Sequence, residues 1–179
     1  MTPAASPETV LSVRDIKKYF DVQKGLFGRK SGSVYAVDGV SFDIARGETL
    51  GLVGESGCGK STVGRVVLRL LDPTGGEIHL KGTDISGISR SEVRSYRREM
   101  QMVFQDPYSS LNPKLSAGGL VGEPLRNFDE GSAAEIKQRV ASLFEKVGFK
   151  PDAMDRYPHE FSGGQRQRLG IARALALNP

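Results

Sequence analysis

The chain has 179 residues, of which 38% are hydrophobic and 26% are charged, a composition typical of a globular protein. Its net charge of +4 is too small to indicate nucleic-acid binding by itself. The one cysteine, Cys58, excludes an intrachain disulfide and any cysteine-built zinc or iron–sulfur site, and it favours a reducing compartment. No apolar run approaches the ~18 residues that span a bilayer, and the first residues lack the pattern of a secretory signal. We therefore expect any membrane role to be peripheral.

Alternating apolar residues and short apolar runs predict five strands. They are Val10–Ile16, Val34–Ile44, Thr49–Val53, Glu77–Leu80 and Met100–Phe104. The run Thr49–Val53 is short and apolar, which is typical of a strand buried on both faces. Residues 1–8 are interpreted as a loose tail, and Gly25–Ser33 as a basic, flexible loop.

Apolar residues at helical spacing predict four helices. They are Lys60–Leu71, Ser91–Arg97, Ser132–Val147 and a last helix from about Gly163 to Leu177. The clearest pattern begins at Ser132, an N-cap residue with Glu135 three positions later, and stops before Gly148. The Pro-, Ser- and Asn-rich stretch Asp106–Pro113 is predicted to be a loop.

A glycine-rich segment between a predicted strand and a predicted helix matches the complete pattern G-x-x-x-x-G-K-[ST]. Main-chain N–H groups can converge on a phosphate chain where side chains are absent, and the following helix N-terminus favours an anion. Lys60 is predicted to reach the β- and γ-phosphates, and the Ser61 hydroxyl to bind Mg²⁺. A chance glycine turn is the alternative, which the strand before and the helix after the segment disfavour. The residues expected to hold the nucleotide here are Gly54, Glu55, Ser56, Gly57, Cys58, Gly59, Lys60, Ser61 and Thr62.

A second glycine cluster, Phe161-Ser162-Gly163-Gly164-Gln165, resembles the signature sequence of ABC ATPases, with Phe161 in place of leucine. It is also an anion site on physical grounds, because a hydroxyl and bare amides lie at a helix N-terminus. A plain helix cap by Ser162 is the alternative. Gln105, between a predicted strand and Asp106, resembles the Q-loop of the same family, whose glutamine contacts Mg²⁺ and the attacking water.

The resemblance extends over essentially the whole chain and is closest to the ATP-binding subunits of bacterial dipeptide and oligopeptide importers. It is carried by Ile16–Phe20, the segment GLFGRK at 25–30, Ala36–Phe42, Leu71–Pro73 and Tyr157–Glu160. It implies an α/β P-loop NTPase fold with an N-terminal antiparallel β region and a helical subdomain. We expect a nucleotide-binding core over 9–106, a helical subdomain over 107–160, and the signature with its helix over 161–179. An aromatic residue near the first strand stacks on adenine in this family, and Phe20 is a better candidate than Tyr19.

The resemblance implies ATP-driven import of peptides, with ATP and Mg²⁺ as ligands. Two ATP-binding subunits, identical or paralogous, would face each other head to tail, with Ser162, Gly163, Gly164 and Gln165 of one on the ATP of the other. Transmembrane permease subunits are the further partners expected, which places the chain at the cytoplasmic face of the membrane, without nucleic acid. A cargo such as nickel stays open as an alternative.

The sequence departs from the family pattern at its end. It stops at Asn178-Pro179, before the family's Walker B aspartate, catalytic glutamate and switch histidine, and neither His79 nor His159 matches the switch. We therefore expect the fold to be incomplete at the C-terminus. Lys60 and Gln105 remain as catalytic candidates. This 179-residue chain is expected to bind nucleotide without turning it over, while the full-length product would be an ATPase. A soluble ABC ATPase acting on DNA or ribosomes, or a nucleotide-binding fragment without hydrolysis, are the competing interpretations.

Overall fold

The computed structural model of the chain describes residues 8–24, 29–106 and 110–179. These residues form two compact units, one extending through Val93 and the other from Arg94 to Pro179. Most of the expected N-terminal tail, residues 25–28 of the expected basic loop and residues 107–109 of the expected Pro-rich loop lie outside the described residues.

The first unit is built on an antiparallel sheet with the strand order β2-β1-β3-β4. The strands are β1 (Thr9–Lys24), β2 (Arg29–Ala45), β3 (Gly75–Leu80) and β4 (Thr83–Asp84). Val13 of β1 lies opposite Phe42 of β2 and Ile78 of β3, and Val13 and Ile78 are fully buried. The predicted strands at Val10–Ile16, Val34–Ile44 and Glu77–Leu80 are thus confirmed. Residues 29–33, which were expected in a flexible loop, belong to β2 instead.

Two predicted strands are wrong. Thr49–Val53 and Met100–Phe104 form no regular secondary structure, and the exposed fractions of Leu50, Leu52 and Val53 are 42%, 46% and 89%. A strand that is apolar on both faces forms when neighbouring strands accept its main-chain hydrogen bonds. Within the described ranges no strand pairs with either segment, so neither ladder forms.

Within residues 8–24, 29–106 and 110–179 the structure gives five α-helices, here in chain order. They are α1 (Lys60–Val67), α2 (Arg90–Tyr96), α3 (Ala117–Asn127), α4 (Ala133–Lys146) and α5 (Gly163–Leu175). Two 3₁₀ helices, Pro151–Asp155 and Pro158–Glu160, lie between α4 and α5. Helix α1 ends earlier than predicted, because Arg69 adopts a positive φ of 52° and turns its guanidinium toward main-chain oxygens of Ile85 and Ser86. Helix α3 was not predicted.

The second unit packs its helices around one apolar cluster. Leu120 and Leu125 of α3, Phe144 of α4 and Leu169 of α5 are fully buried in it. The capping box predicted at the start of α4 is confirmed, since Ser132 and Glu135 exchange hydrogen bonds. None of the helices in the described part of the chain is both long and apolar enough to cross a membrane.

Candidate functional site

The loop over residues 54–59 leads directly into α1; residues 54–58 are exposed and Gly59 is half-buried. Gly59, the residue before the helix, has a φ of 97°, a conformation that L-residues rarely adopt. A Cβ on Gly59 would also lie 2.3 Å from the carbonyl oxygen of Ala36. The loop can therefore take this path against β2 only with glycine at position 59.

Lys60 folds back over this loop. Its Nζ donates hydrogen bonds of 2.7 Å to the Gly54 oxygen and 2.6 Å to the Glu55 oxygen, and it lies 3.6 Å from the Cys58 Sγ. The two carbonyl oxygens and the Cys58 sulfur engage all three N–H donors of the ammonium group, so an incoming anion would replace one of these acceptors. The arrangement concentrates positive charge above the exposed main chain of the loop.

The first turn of α1 adds a second source of positive potential. Gly59 offers no side chain to cap the helix, and the turn contains no acidic residue. The orphan N–H groups and the dipole of the helix thus favour an anion at this end. Ser61 lies exposed in this turn and Thr62 is half-buried beside it. Together with Lys60, these features form a cradle suited to phosphate oxygens.

The two aromatic candidates of β1 differ in how they are held. The Tyr19 hydroxyl donates a 2.6 Å hydrogen bond to Asp38 Oδ1, which raises the pKa of Tyr19, and its ring packs edge-on against Tyr35. Phe20 is 40% exposed, and the Lys18 Nζ lies 5.1 Å from its ring centroid. Phe20 is thus partly exposed with the Lys18 ammonium over its ring, whereas Tyr19 is engaged with Asp38 and Tyr35. The contact of Tyr19 with Asp38 was not foreseen, although the antiparallel pairing of β1 and β2 brings the two residues together.

Residues 161–165, which resemble the ABC signature sequence and are called the signature turn below, begin α5 with a reciprocal cap. Ser162 Oγ accepts a hydrogen bond from the Gln165 N–H, and Gln165 Oε1 accepts one of 2.9 Å from the Ser162 N–H. The predicted cap by Ser162 is therefore present, and it occupies the oxygen of the Gln165 side chain. Gly163 and Gly164 are exposed, and a Cβ at either position would meet no other atom within 4 Å.

Buried side chains fix the signature turn on the side that faces the core. Phe161 is 2% exposed, and its ring lies edge-on to Phe149 and under the guanidinium of Arg156 at 4.6 Å. The buried Arg166 donates a 2.7 Å hydrogen bond from Nε to the Pro158 oxygen. The larger ring at position 161 is accommodated because it fills part of the apolar core.

Gln105 is exposed at the end of the segment that was expected to be a strand. The oxygen of its neighbour Phe104 accepts a hydrogen bond of 3.3 Å from Gln167 Nε2. The oxygen of Ser110 accepts one of 2.8 Å from Arg173. Both donors belong to α5, so the helix that starts at the signature turn also holds the main chain at Phe104, next to Gln105, and at Ser110. Sequence reasoning missed Gln167 and Arg173, since hydrogen bonds to a main chain distant in sequence leave no local pattern.

Oxygen atoms for a magnesium ion are available at two of the predicted positions. Ser61 carries a hydroxyl and Gln105 an amide oxygen, both exposed and both of the hard donor type that Mg²⁺ prefers. No group of three or more His, Cys, Asp or Glu side chains suited to a metal ion occurs within 8–24, 29–106 and 110–179.

Comparisons with known proteins agree with this geometry. The family model described as ABC transporter matches residues 37–179. The chain is 55% identical over 177 residues to the oligopeptide transport ATP-binding protein AppF of Bacillus subtilis, covering 98% of the chain and 54% of that protein. It is 52% identical to a probable peptide ABC transporter ATP-binding protein of Sinorhizobium fredii, covering 96% and 49%. The chain thus spans about half the length of these two curated relatives.

Solved structures give a similar result. An ATP-binding cassette, solved as a dimer in a post-hydrolysis state bound to ADP and Pi, superposes with a TM-score of 0.82 at 30% identity. That alignment covers 94% of this chain and 70% of the other. The protein cbiO1 of Clostridium perfringens, part of an ABC transporter complex, superposes with a TM-score of 0.76 at 27% identity, covering 96% and 63%.

Proposed function

Because this chain belongs to the ABC transporter family, we propose that it binds ATP and couples ATP binding and hydrolysis to the import of peptides across a bacterial cytoplasmic membrane. The observation that carries this proposal is the cradle of Gly59, Lys60 and the uncapped first turn of α1. The family alone leaves the cargo open. Peptide cargo is supported by relatives named for oligopeptide transport, for peptide transport and for glutathione import.

ATP is proposed to lie with its phosphates in the cradle. The Lys60 ammonium, already directed over the loop, binds the β- and γ-phosphate oxygens, and the N–H groups of 54–62 complete the contact. Phe20, whose ring is exposed, is the proposed adenine platform. Mg²⁺, when bound, neutralises phosphate charge, and its proposed protein ligands are the oxygens of Ser61 and Gln105. We further propose that Gln105 orients the attacking water.

Gly163 and Gly164 support the proposal of a second ATP-binding subunit. Glycine destabilises a helix by about 1 kcal/mol relative to alanine, and at both positions the space for a Cβ is open. Nothing within the described fold therefore requires glycine there. A ligand that approaches the bare main chain from outside does require it, and the γ-phosphate of ATP held by a facing subunit is the proposed ligand. Ser162 is proposed to contribute its hydroxyl.

A peripheral position at the cytoplasmic face of the membrane is proposed, with transmembrane permease subunits as partners. ATP binding would draw two subunits together and hydrolysis would release them, so that the permease alternates between two states. Gln105 is the proposed contact that passes this change to the permease.

Two measurements test the proposal. Titration calorimetry with Mg–ATP on the chain and on its Lys60→Ala variant should give binding that the substitution weakens strongly. Vesicles containing the complete importer should then accumulate a labelled oligopeptide when ATP is present. Accumulation of Ni²⁺ but no peptide would contradict the cargo, and binding that is unaffected by Lys60→Ala would contradict the site.

A further inference from the structure

We propose that Gln167 and Arg173 are positioning residues for Gln105. They attach the main chain near Gln105 to α5, the helix that begins at the signature turn. The inference rests on the proposed role of Gln105 toward Mg²⁺ and water. Gln167 and Arg173 themselves touch neither nucleotide nor metal in this account. They act through the main-chain oxygens of Phe104 and Ser110.

The two contacts come from one rigid element. Helix α5 is fixed in the core by Leu169 and Ala172, both fully buried, and at its start by the bond of Arg166 to the Pro158 oxygen. A displacement of the signature turn therefore moves Gln167 and Arg173 with it. The carbonyls that these side chains hold are displaced in turn.

The held segment has little structure of its own. Residues 100–104 form no strand or helix, and Gln105 itself is exposed. The Gln167 bond to Phe104 is immediately adjacent to Gln105, so it restricts the direction in which the Gln105 amide can point. The charge-assisted bond of Arg173, at 2.8 Å, fixes the main chain at Ser110, five positions after Gln105 in the sequence. The signature turn is proposed to contact the ATP of a facing subunit, and Gln105 to contact Mg²⁺ and water. A movement of the signature turn therefore also moves Gln105.

The decisive substitution is Gln167→Glu, which keeps the shape of the side chain and replaces its N–H donor with a carboxylate. Gln138→Glu is the matched control, because Gln138 lies exposed on α4. A second pair is Arg173→Ala against Arg168→Ala, since Arg168 contacts the Val147 oxygen instead. Arg173→Lys keeps a cationic donor and should restore function. All variants are made in the complete protein.

Two readouts are taken on each variant. The carbonyl ¹³C NMR shift of Phe104 should change in Gln167→Glu, because its oxygen loses the hydrogen bond that Gln167 Nε2 donates. Turnover should show a lower kcat and a higher Mg²⁺ requirement, with the affinity for ATP nearly unchanged because Lys60 and its loop are intact. Gln138→Glu should match the unmodified protein in both.

An unchanged Phe104 carbonyl shift in Gln167→Glu would overturn the inference, and so would a changed shift with unchanged kcat and Mg²⁺ requirement. Gln105→Ala separates this failure from that of the proposed function. If Gln105→Ala leaves Mg²⁺-dependent turnover intact, the role of Gln105 is wrong. If Gln105→Ala abolishes turnover while Gln167→Glu behaves like its control, only the positioning role is wrong.

Discussion

A Cβ built on Gly59 would lie 2.3 Å from the main-chain oxygen of Ala36, far inside van der Waals contact. The loop over 54–59 and β2 therefore approach each other at a point where no side chain fits. The positive φ of Gly59 adds a second, independent requirement for glycine.

Gly59→Ala should lower the free energy of unfolding by at least about 1–2 kcal/mol, the cost of a left-handed L-residue before any clash is counted. Nucleotide affinity should fall with it, because the loop must move away from Ala36. Urea denaturation and calorimetry measure the two effects. Gly64→Ala is the control in α1, where φ is not positive and a Cβ meets open space, and it should be neutral or stabilising. Equal effects of the two substitutions would contradict the constraint at Gly59.

Lys60→Ala should weaken ATP binding by roughly 10- to 150-fold, since a hydrogen bond to a charged group contributes about 1.5–3 kcal/mol. The substitution also removes the bonds that hold the Gly54 and Glu55 carbonyls. Calorimetry gives the affinity, and Lys137→Ala, on the exposed surface of α4, controls for the loss of one positive charge. Equal affinities for the two variants would remove Lys60 from the site.

Gly163→Ala and Gly164→Ala should leave the fold as stable as before, or stabilise it by up to about 1 kcal/mol each, because both sites are helical and open. The same substitutions should abolish ATP-dependent dimerisation, since a methyl group would obstruct the approach of a phosphate. Thermal unfolding and analytical ultracentrifugation with an ATP analogue measure the two properties. Normal dimers in both variants would show that these glycines contact no ligand.

Alkylation of Cys58 by N-ethylmaleimide should block nucleotide binding, because the free thiol is exposed within the loop and lies beside the Lys60 ammonium. Bound Mg–ATP should slow the alkylation, which mass spectrometry can follow over time. Cys58→Ser should bind nucleotide whether or not the reagent is present. Full modification without loss of binding would exclude the thiol from the phosphate site.

Ser132→Ala should destabilise the second unit by about 1 kcal/mol at neutral pH, because it removes the N-cap of α4. The hydrogen bonds from Ser132 lower the pKa of Glu135 below its ordinary value of 4.5. The carboxylate therefore stabilises the fold above that value, and the contribution disappears as the pH falls through the lowered pKa. The stability difference between Ser132→Ala and the unmodified chain should shrink with acidification. Ser142→Ala, exposed in the interior of α4, should show no such pH dependence.

Local chemistry allowed the loop, the caps and three strands to be predicted. The glycine and lysine pattern of 54–61 involves residues that are close in sequence, and so does the pairing of Ser132 with Glu135. Their structure can therefore be predicted from the local sequence alone. The cap at Ser162 is of the same kind.

The errors arise where distant partners decide the outcome. Thr49–Val53 has a strand composition, but its regular structure depends on neighbouring strands. Helix α3 was missed because Gly118, Gly119 and Pro124 disfavour a helix locally, while burial of Leu120 and Leu125 in the core stabilises it. The hydrogen bonds of Gln167 and Arg173 to main-chain oxygens distant in sequence leave no pattern of residue spacing from which they could be predicted.

The exposed run Thr49–Val53 has a consequence for the behaviour of the chain at high concentration. The side chains of Leu50, Leu52 and Val53 expose apolar surface that another molecule can cover. Self-association should therefore rise steeply with concentration and be visible as light scattering. Replacing Val53, the most exposed of the three, with lysine should suppress this self-association, because the added charge makes neighbouring molecules repel each other at this surface.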